Sequence, residues 1–219
     1  MLPMTSAQIA HRVTALCERL AASDEALSPA MTPIEALVTR RSLGAKYLGL
    51  PRPSEQDLLL MTLAALRSPD HGELVPFRFS CVEPYAARAL GKLFREAAVR
   101  RGKDESAASA EEAKAHEPPL TIAVIARLRN NTAVPEHEQW MAVGGAIGNF
   151  VAAAHALGYG AKMLSGASTT DQAVISAFCQ SGESLVGWIV LGTPKARHPR
   201  RPKSVHPFSV MSLWTPPSQ

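Results

Sequence analysis

The chain has 219 residues, of which 46% are apolar and 19% charged, and its net charge is +4. That length suits one main domain, and the composition excludes a largely disordered chain. The charge is too small and too scattered for a nucleic-acid surface, and no aromatic residues interleave with a basic stripe.

Residues 5–22 carry Ile9, Val13, Leu16 and Leu20 at helical spacing, which predicts an N-terminal helix followed by a linker to residue 31. No basic segment followed by an apolar run and a cleavage site precedes it, so no secretory signal is expected. Thr32, Pro33 and Glu35 form a capping-box start for a helix ending near Arg41. Ser54 and Asp57 open a second helix, with Leu59, Leu60, Leu63 and Leu66 at helical spacing and Pro69 as its stop.

Residues 77–82 read as a strand, residues 85–101 as an amphipathic helix, and the polar, Ala-rich stretch 102–117 as a surface helix or excursion. Residues 120–126 and 185–191 are near-continuous apolar strands of the kind buried on both faces. Between them lie a long buried helix over about 135–157, a strand or turn at 160–166, and a helix over about 170–179. The long helix contains Asn149 and His155 and is rich in Ala and Gly rather than Leu, so it reads as protein-buried and not membrane-spanning. Gly144 and Gly148, four apart, allow close approach of another backbone. Strands alternating with helix-rich stretches point to an α+β sandwich. Cys17, Cys81 and Cys179 are odd in number and far apart, without zinc or disulfide spacing, which suits a reducing, cytoplasmic setting.

Two basic turns stand at helix ends: Arg40-Arg41-Ser42, and Arg67 followed by His71. Cations there are favoured by the helix dipole alone, yet a guanidinium fork with a hydroxyl beside it also matches phosphate. Ser165-Gly166, after Met163-Leu164, is either a plain turn or a place where backbone approaches a ligand. The run 195–203 is basic and Pro-rich, either a solvated tail or a source of phosphate contacts.

The order Arg40-Arg41-Ser42, Arg67…His71, Ser165-Gly166 and Gly192-Thr193-Pro194, over about residues 32–207, resembles the flavin-binding nitroreductase family and its short, YdjA-like bacterial subgroup. The resemblance implies a three-layer α/β/α sandwich with a central mixed, mainly antiparallel sheet, and the long buried helix at a dimer interface. It also implies a division into an extension and linker (1–31), an FMN-binding domain (32–210) and a tail (211–219).

By the same resemblance, Arg40, Arg41 and Ser42 contact FMN, and Arg67 and His71 reach the flavin of the neighbouring subunit. Met163, Leu164, Ser165 and Gly166 lie along the flavin ring. Lys195 or Arg197, with Arg200 and Arg201 as rivals, holds the phosphate. Met163 and Leu164 stand where many relatives carry an aromatic and a polar residue, which implies a permissive apolar pocket. Glu138-Gln139 reads as structural or interface-forming.

The absence of a G-x-G-x-x-G after a strand, of a P-loop and of a G-x-S-x-G elbow fits redox chemistry carried by a bound flavin rather than by a protein nucleophile. His116 and His137 are not spaced as a metal set. The implied activity is FMN-dependent oxidation of NADH or NADPH by a homodimer. Ping-pong hydride transfer then serves a small-molecule acceptor such as a nitroaromatic or quinone. Dehalogenation or oxygen-dependent fragmentation on the same scaffold, and a non-enzymatic flavin-binding role, are the alternatives.

Overall fold

A computed structural model of the protein describes residues 32–130, 133–196 and 205–216. The helix expected over 5–22, and Arg197, Arg200 and Arg201, lie outside them. Two compact units divide the chain, residues 32–196 falling in one and 205–216 in the other. In the latter, His206 precedes a 3-10 turn (Pro207–Ser209) and sets its ring 5.5 Å from that of Phe208.

Local chemistry starts the first two helices of the main unit. In α1 (Pro33–Thr39), Thr32 Oγ1 accepts the Glu35 N–H at 3.2 Å while the Glu35 carboxylate takes the Thr32 N–H at 2.9 Å. The helix ends two residues short of Arg41, because Arg40 is extended (ψ 136°). Ser54 and Asp57 make the same reciprocal cap on α2 (Glu55–Ala65). The chain leaves this helix before Pro69, since the Arg67 and Ser68 N–H groups bond three residues back, to Ala64 and Ala65.

The other elements are β1 (Leu48–Gly49), β2 (Phe77–Val82), α3 (Ala87–Arg100), α4 (Glu105–Ala113), β3 (Leu120–Ala126), α5 (Glu136–Ala156), β4 (Gly160–Leu164), α6 (Gln172–Phe178) and β5 (Ser184–Pro194). The expected helix over 85–101 begins as a 3-10 turn (Pro84–Ala86) and becomes α-helical only at Ala87.

The sheet runs β1-β5-β3-β2, with β4 also paired to β5, and every ladder is antiparallel. Outside these strands, Ser42 makes an isolated parallel bridge to Ala161. Helices cover both faces. On one, Met61 and Ala65 of α2 and Val143, Ala146 and Phe150 of α5 pack on Ile122, Val124 and Ile189. On the other, Leu90 and Phe94 of α3 and Val174 of α6 pack on Ala123, Ile125 and Trp188. Trp188 meets Phe94 and Phe178 edge-on at 5.2 and 5.0 Å, pinning both helices to the sheet.

A bulge where Val124 pairs with Gly187 but Ile125 with Leu185 adds one residue to β5. It re-phases the strand, so that Leu185 and Trp188, three apart, share a face. At Gly187 a side chain would collide with the Leu164 carbonyl oxygen and Met163 Cε, so this crossing of β4 and β5 requires glycine.

α5 buries one side among the described residues and leaves part of the other exposed. Gln139, Ala142, Val143, Ala146, Phe150 and Ala154 face the core, whereas Trp140 and Met141 are exposed, Met141 by 71%, and the space beside Gly144 and Gly148 is open. The predicted leucine stripe of α2 also faces outward. Leu59, Leu60, Leu63 and Leu66 are exposed while Met61 and Ala65 face the core, and Ile34, Leu37 and Val38 of α1 are exposed too. No helix among the described residues is long and apolar enough to cross a membrane.

Candidate functional site

β4 is the rail on which one group of candidate residues sits. α5 ends in a Schellman turn: Gly158, at φ 88°, sends its N–H to His155 O at 3.0 Å, and Tyr159 bonds Ala154 O at 2.8 Å. The chain thereby reverses into Gly160. The Tyr159 hydroxyl donates to Asp57 Oδ2 at 2.8 Å, tying this reversal to the cap of α2. Hydrogen bonds from Ser54 and Tyr159 hold the Asp57 carboxyl below its usual range.

At Ala161, β4 receives the Arg40–Ser42 turn. Ser42 bridges Ala161 in parallel, and Leu43 N–H bonds Ala161 O at 3.0 Å. From the other side, Thr39 Oγ1 lies 3.0 Å from His155 Nε2 on α5, just before the two arginines. Lys195 belongs to the same neighbourhood: its N–H bonds Tyr47 O at 2.9 Å and its Nζ donates to Lys46 O at 3.1 Å, in the 3-10 turn that follows Ser42.

β4 pairing stops at Leu164–Trp188, so the amides of Ser165 and Gly166 lie beyond the ladder. Both residues are exposed, and the space beside Gly166 is open. Met163 packs towards the α2/α5 face and Leu164 towards the other. Alternation along the strand thus puts the two side chains on opposite faces of the sheet.

Arg67 and His71 form a second group, where α2 meets the start of α5. Arg67 is exposed. His71 Nδ1 lies 2.7 Å from Glu138 Oε2. Between them Ser68 is only 7% exposed, and its Oγ has no hydrogen-bond partner among the described residues. Buried hydroxyls ordinarily find a partner, and none of the described residues supplies one here. Gln139 has the structural role expected of it: its side chain accepts the Arg129 N–H at 2.8 Å and donates to the carbonyls of Arg129 and Val134 at 3.0 and 3.1 Å.

Residues 37–193 match the model of the nitroreductase family. The chain belongs to that family. Nitroreductase-family relatives include YdjA of Escherichia coli strain K12, provisionally named an NAD(P)H nitroreductase, 33% identical over 76% of this chain and 91% of its own length. A protein of the same description from Haemophilus influenzae is 32% identical over 74% of this chain and 89% of its length. The fold matches a nitroreductase-like family protein of Bacillus cereus (TM-score 0.71, 15% identity, 86% of this chain and 99% of that one). It also matches a Desulfovibrio desulfuricans protein solved in complex with FMN (TM-score 0.60, 20% identity, 84% and 98%). This chain is therefore an oxidoreductase with the nitroreductase α+β sandwich.

Sequence reasoning missed His155 as a partner of Thr39, the burial of Ser68 and the pairing of Glu138 with His71. Only the Pro69 break in the helix, which exposes Ser68 to a non-helical environment, gave a local signal for any of them.

Proposed function

We propose that the chain is an FMN-dependent NAD(P)H oxidoreductase that works as a homodimer in a reducing, cytoplasmic setting and reduces flat acceptors such as quinones and nitroaromatics. The observation that carries this reading is the Ser42–Ala161 bridge, which sets a phosphate-matching Arg-Arg-Ser turn against the strand leading to Ser165-Gly166. The donor set suits a phosphorylated, planar cofactor: two guanidinium groups and a hydroxyl for the anionic end, two amides beyond the ladder for a ring edge, and open space beside Gly166. When bound, FMN would supply hydride acceptance from NAD(P)H and its return to a second substrate.

The chain's residues do the rest. Arg40, Arg41 and Lys195 hold the phosphate end, and Ser165 and Gly166 present backbone donors to the ring. Arg67 and His71, with the buried Ser68 between them, complete the site of a neighbouring copy. A second copy of the chain is the natural cover for the leucines of α2, the exposed residues of α1 and the outer face of α5.

The test is to purify the chain, measure bound flavin by absorbance, and follow NADH and NADPH oxidation with and without added acceptors. Bound FMN with acceptor-dependent turnover is expected. A colourless protein that neither binds added FMN nor oxidises NAD(P)H would overturn the reading.

A further inference from the structure

The turn that carries His71 is strained. Glu73 and Val75 hold φ values of 50° and 47°, beside Gly72 at 73°. A β-branched residue in the left-handed region persists only where its surroundings over-determine it, and such strain gathers at functional sites. Here the anchors are explicit. Asp70 Oδ2 accepts the Val75 N–H at 2.7 Å, Arg127 Nε donates to Val75 O at 3.0 Å, and the Arg127 N–H bonds Pro76 O at 2.9 Å.

One further contact reaches the imidazole itself, from Glu138 at 2.7 Å. An ionised carboxylate only accepts, so Nδ1 carries the hydrogen and Nε2 is the nitrogen left for a group outside the chain. Glu138 is a firm base for this, because its neighbour Gln139 is buried and locked to Arg129 and Val134. Stability does not account for the pair: the two side chains are 66% and 36% exposed, and ion pairs at such exposure contribute little.

We infer that Glu138 is a positioning residue, fixing the ring orientation and the Nδ1–H tautomer of His71 so that Nε2 is presented to the flavin site of the neighbouring copy. This rests on the site reading above. It revises the view of Glu138 as merely structural: the residue acts through His71 and not on the ligand directly.

The experiment compares Glu138→Ala, Glu138→Gln, His71→Ala and the Glu138→Ala/His71→Ala double variant. FMN affinity is measured by quenching of flavin fluorescence. The His71 tautomer is read by 15N NMR on the flavin-free protein, its signals assigned by their loss in His71→Ala. Glu138→Ala is expected to weaken FMN binding about tenfold and to mix the two tautomers. Glu138→Gln keeps an acceptor for Nδ1–H and should stay within about threefold of the parent. The double variant should bind no worse than His71→Ala. Parent-like affinity in Glu138→Ala, an unchanged tautomer, or losses that multiply in the double variant would each overturn the role of Glu138. Parent-like affinity in His71→Ala would instead remove His71 from the flavin site, and this inference with it.

Discussion

Ser42 and Ala161 form the only parallel bridge recorded among the described residues, and it fastens the turn after α1 to the start of β4. The proposed Arg40–Ser42 contribution to the cofactor site depends on that juncture. Arg40→Ala and Arg41→Ala are each expected to weaken FMN binding by about 1.5–3 kcal/mol, the worth of a charge-assisted hydrogen bond. Titration of the flavin-free protein measures this. Unchanged affinity in both variants would place the phosphate elsewhere.

Association is the second expectation. The exposed leucines of α2 and the open space beside Gly144 predict a dimer burying more than about 2,000 Å² in total. Leu63→Asp charges that row, and Gly144→Leu puts bulk where a Cβ meets no described residue. Both should shift sedimentation towards the monomer. Gly144→Leu separates the two situations well, because a Cβ built at Gly144 has no atom of the described residues within 4 Å.

Ser165→Pro removes an amide beyond the ladder and is expected to slow flavin reduction by NAD(P)H in stopped-flow measurements, while leaving the β4–β5 pairing intact. With Met163 as the apolar side chain of β4 on the α2/α5 face, acceptors should differ little in kcat/KM across a panel of quinones and nitroaromatics. A single strongly preferred acceptor would contradict this.

A pH dependence follows from Arg78 and Glu183. Arg78 donates through Nε and Nη2 to the Glu183 carboxylate at 2.7 and 2.5 Å, and Glu183 is well buried. That hydrogen bonding lowers the Glu183 pKa from 4.5 to about 2, against burial that pushes it up, with help from the Gln180 N–H. Above pH 4.5 both folded and unfolded chains are ionised and the pair stabilises the fold in full. As pH falls from 4.5 towards 2 the unfolded chain takes the proton first, and a contribution on the order of 3 kcal/mol is lost. Denaturant unfolding below pH 4.5 should therefore fall more steeply for the parent than for Glu183→Gln. Parallel curves would count against the pair.

Gly187→Ala should destabilise the fold by about 1–3 kcal/mol, since its methyl group meets backbone that cannot swing aside. Thermal unfolding measures it.

The sequence revealed most where the chemistry was local. The two reciprocal caps, Thr32 with Glu35 and Ser54 with Asp57, involve residues three apart, and the strands at Phe77–Val82 and Leu120–Ala126 have the bounds that their apolar runs suggest. Contacts between distant residues were not legible. Nothing near Thr39 points to His155, and nothing near His71 points to Glu138, because each meeting depends on how α5 lies across the molecule. Periodicity also marked α2 as having a leucine face without saying what it faces. On the opposite side only Met61 and Ala65 are buried in the core. The β5 bulge was invisible for a related reason: an inserted residue in an all-apolar strand leaves the composition unchanged.

The outward row of Leu59, Leu60, Leu63 and Leu66 has a consequence for the life of the protein in solution. If those side chains are covered only when two copies meet, the folded state is favoured by mass action, and its melting temperature rises with protein concentration. Dilution then becomes a condition that weakens the fold of this oxidoreductase.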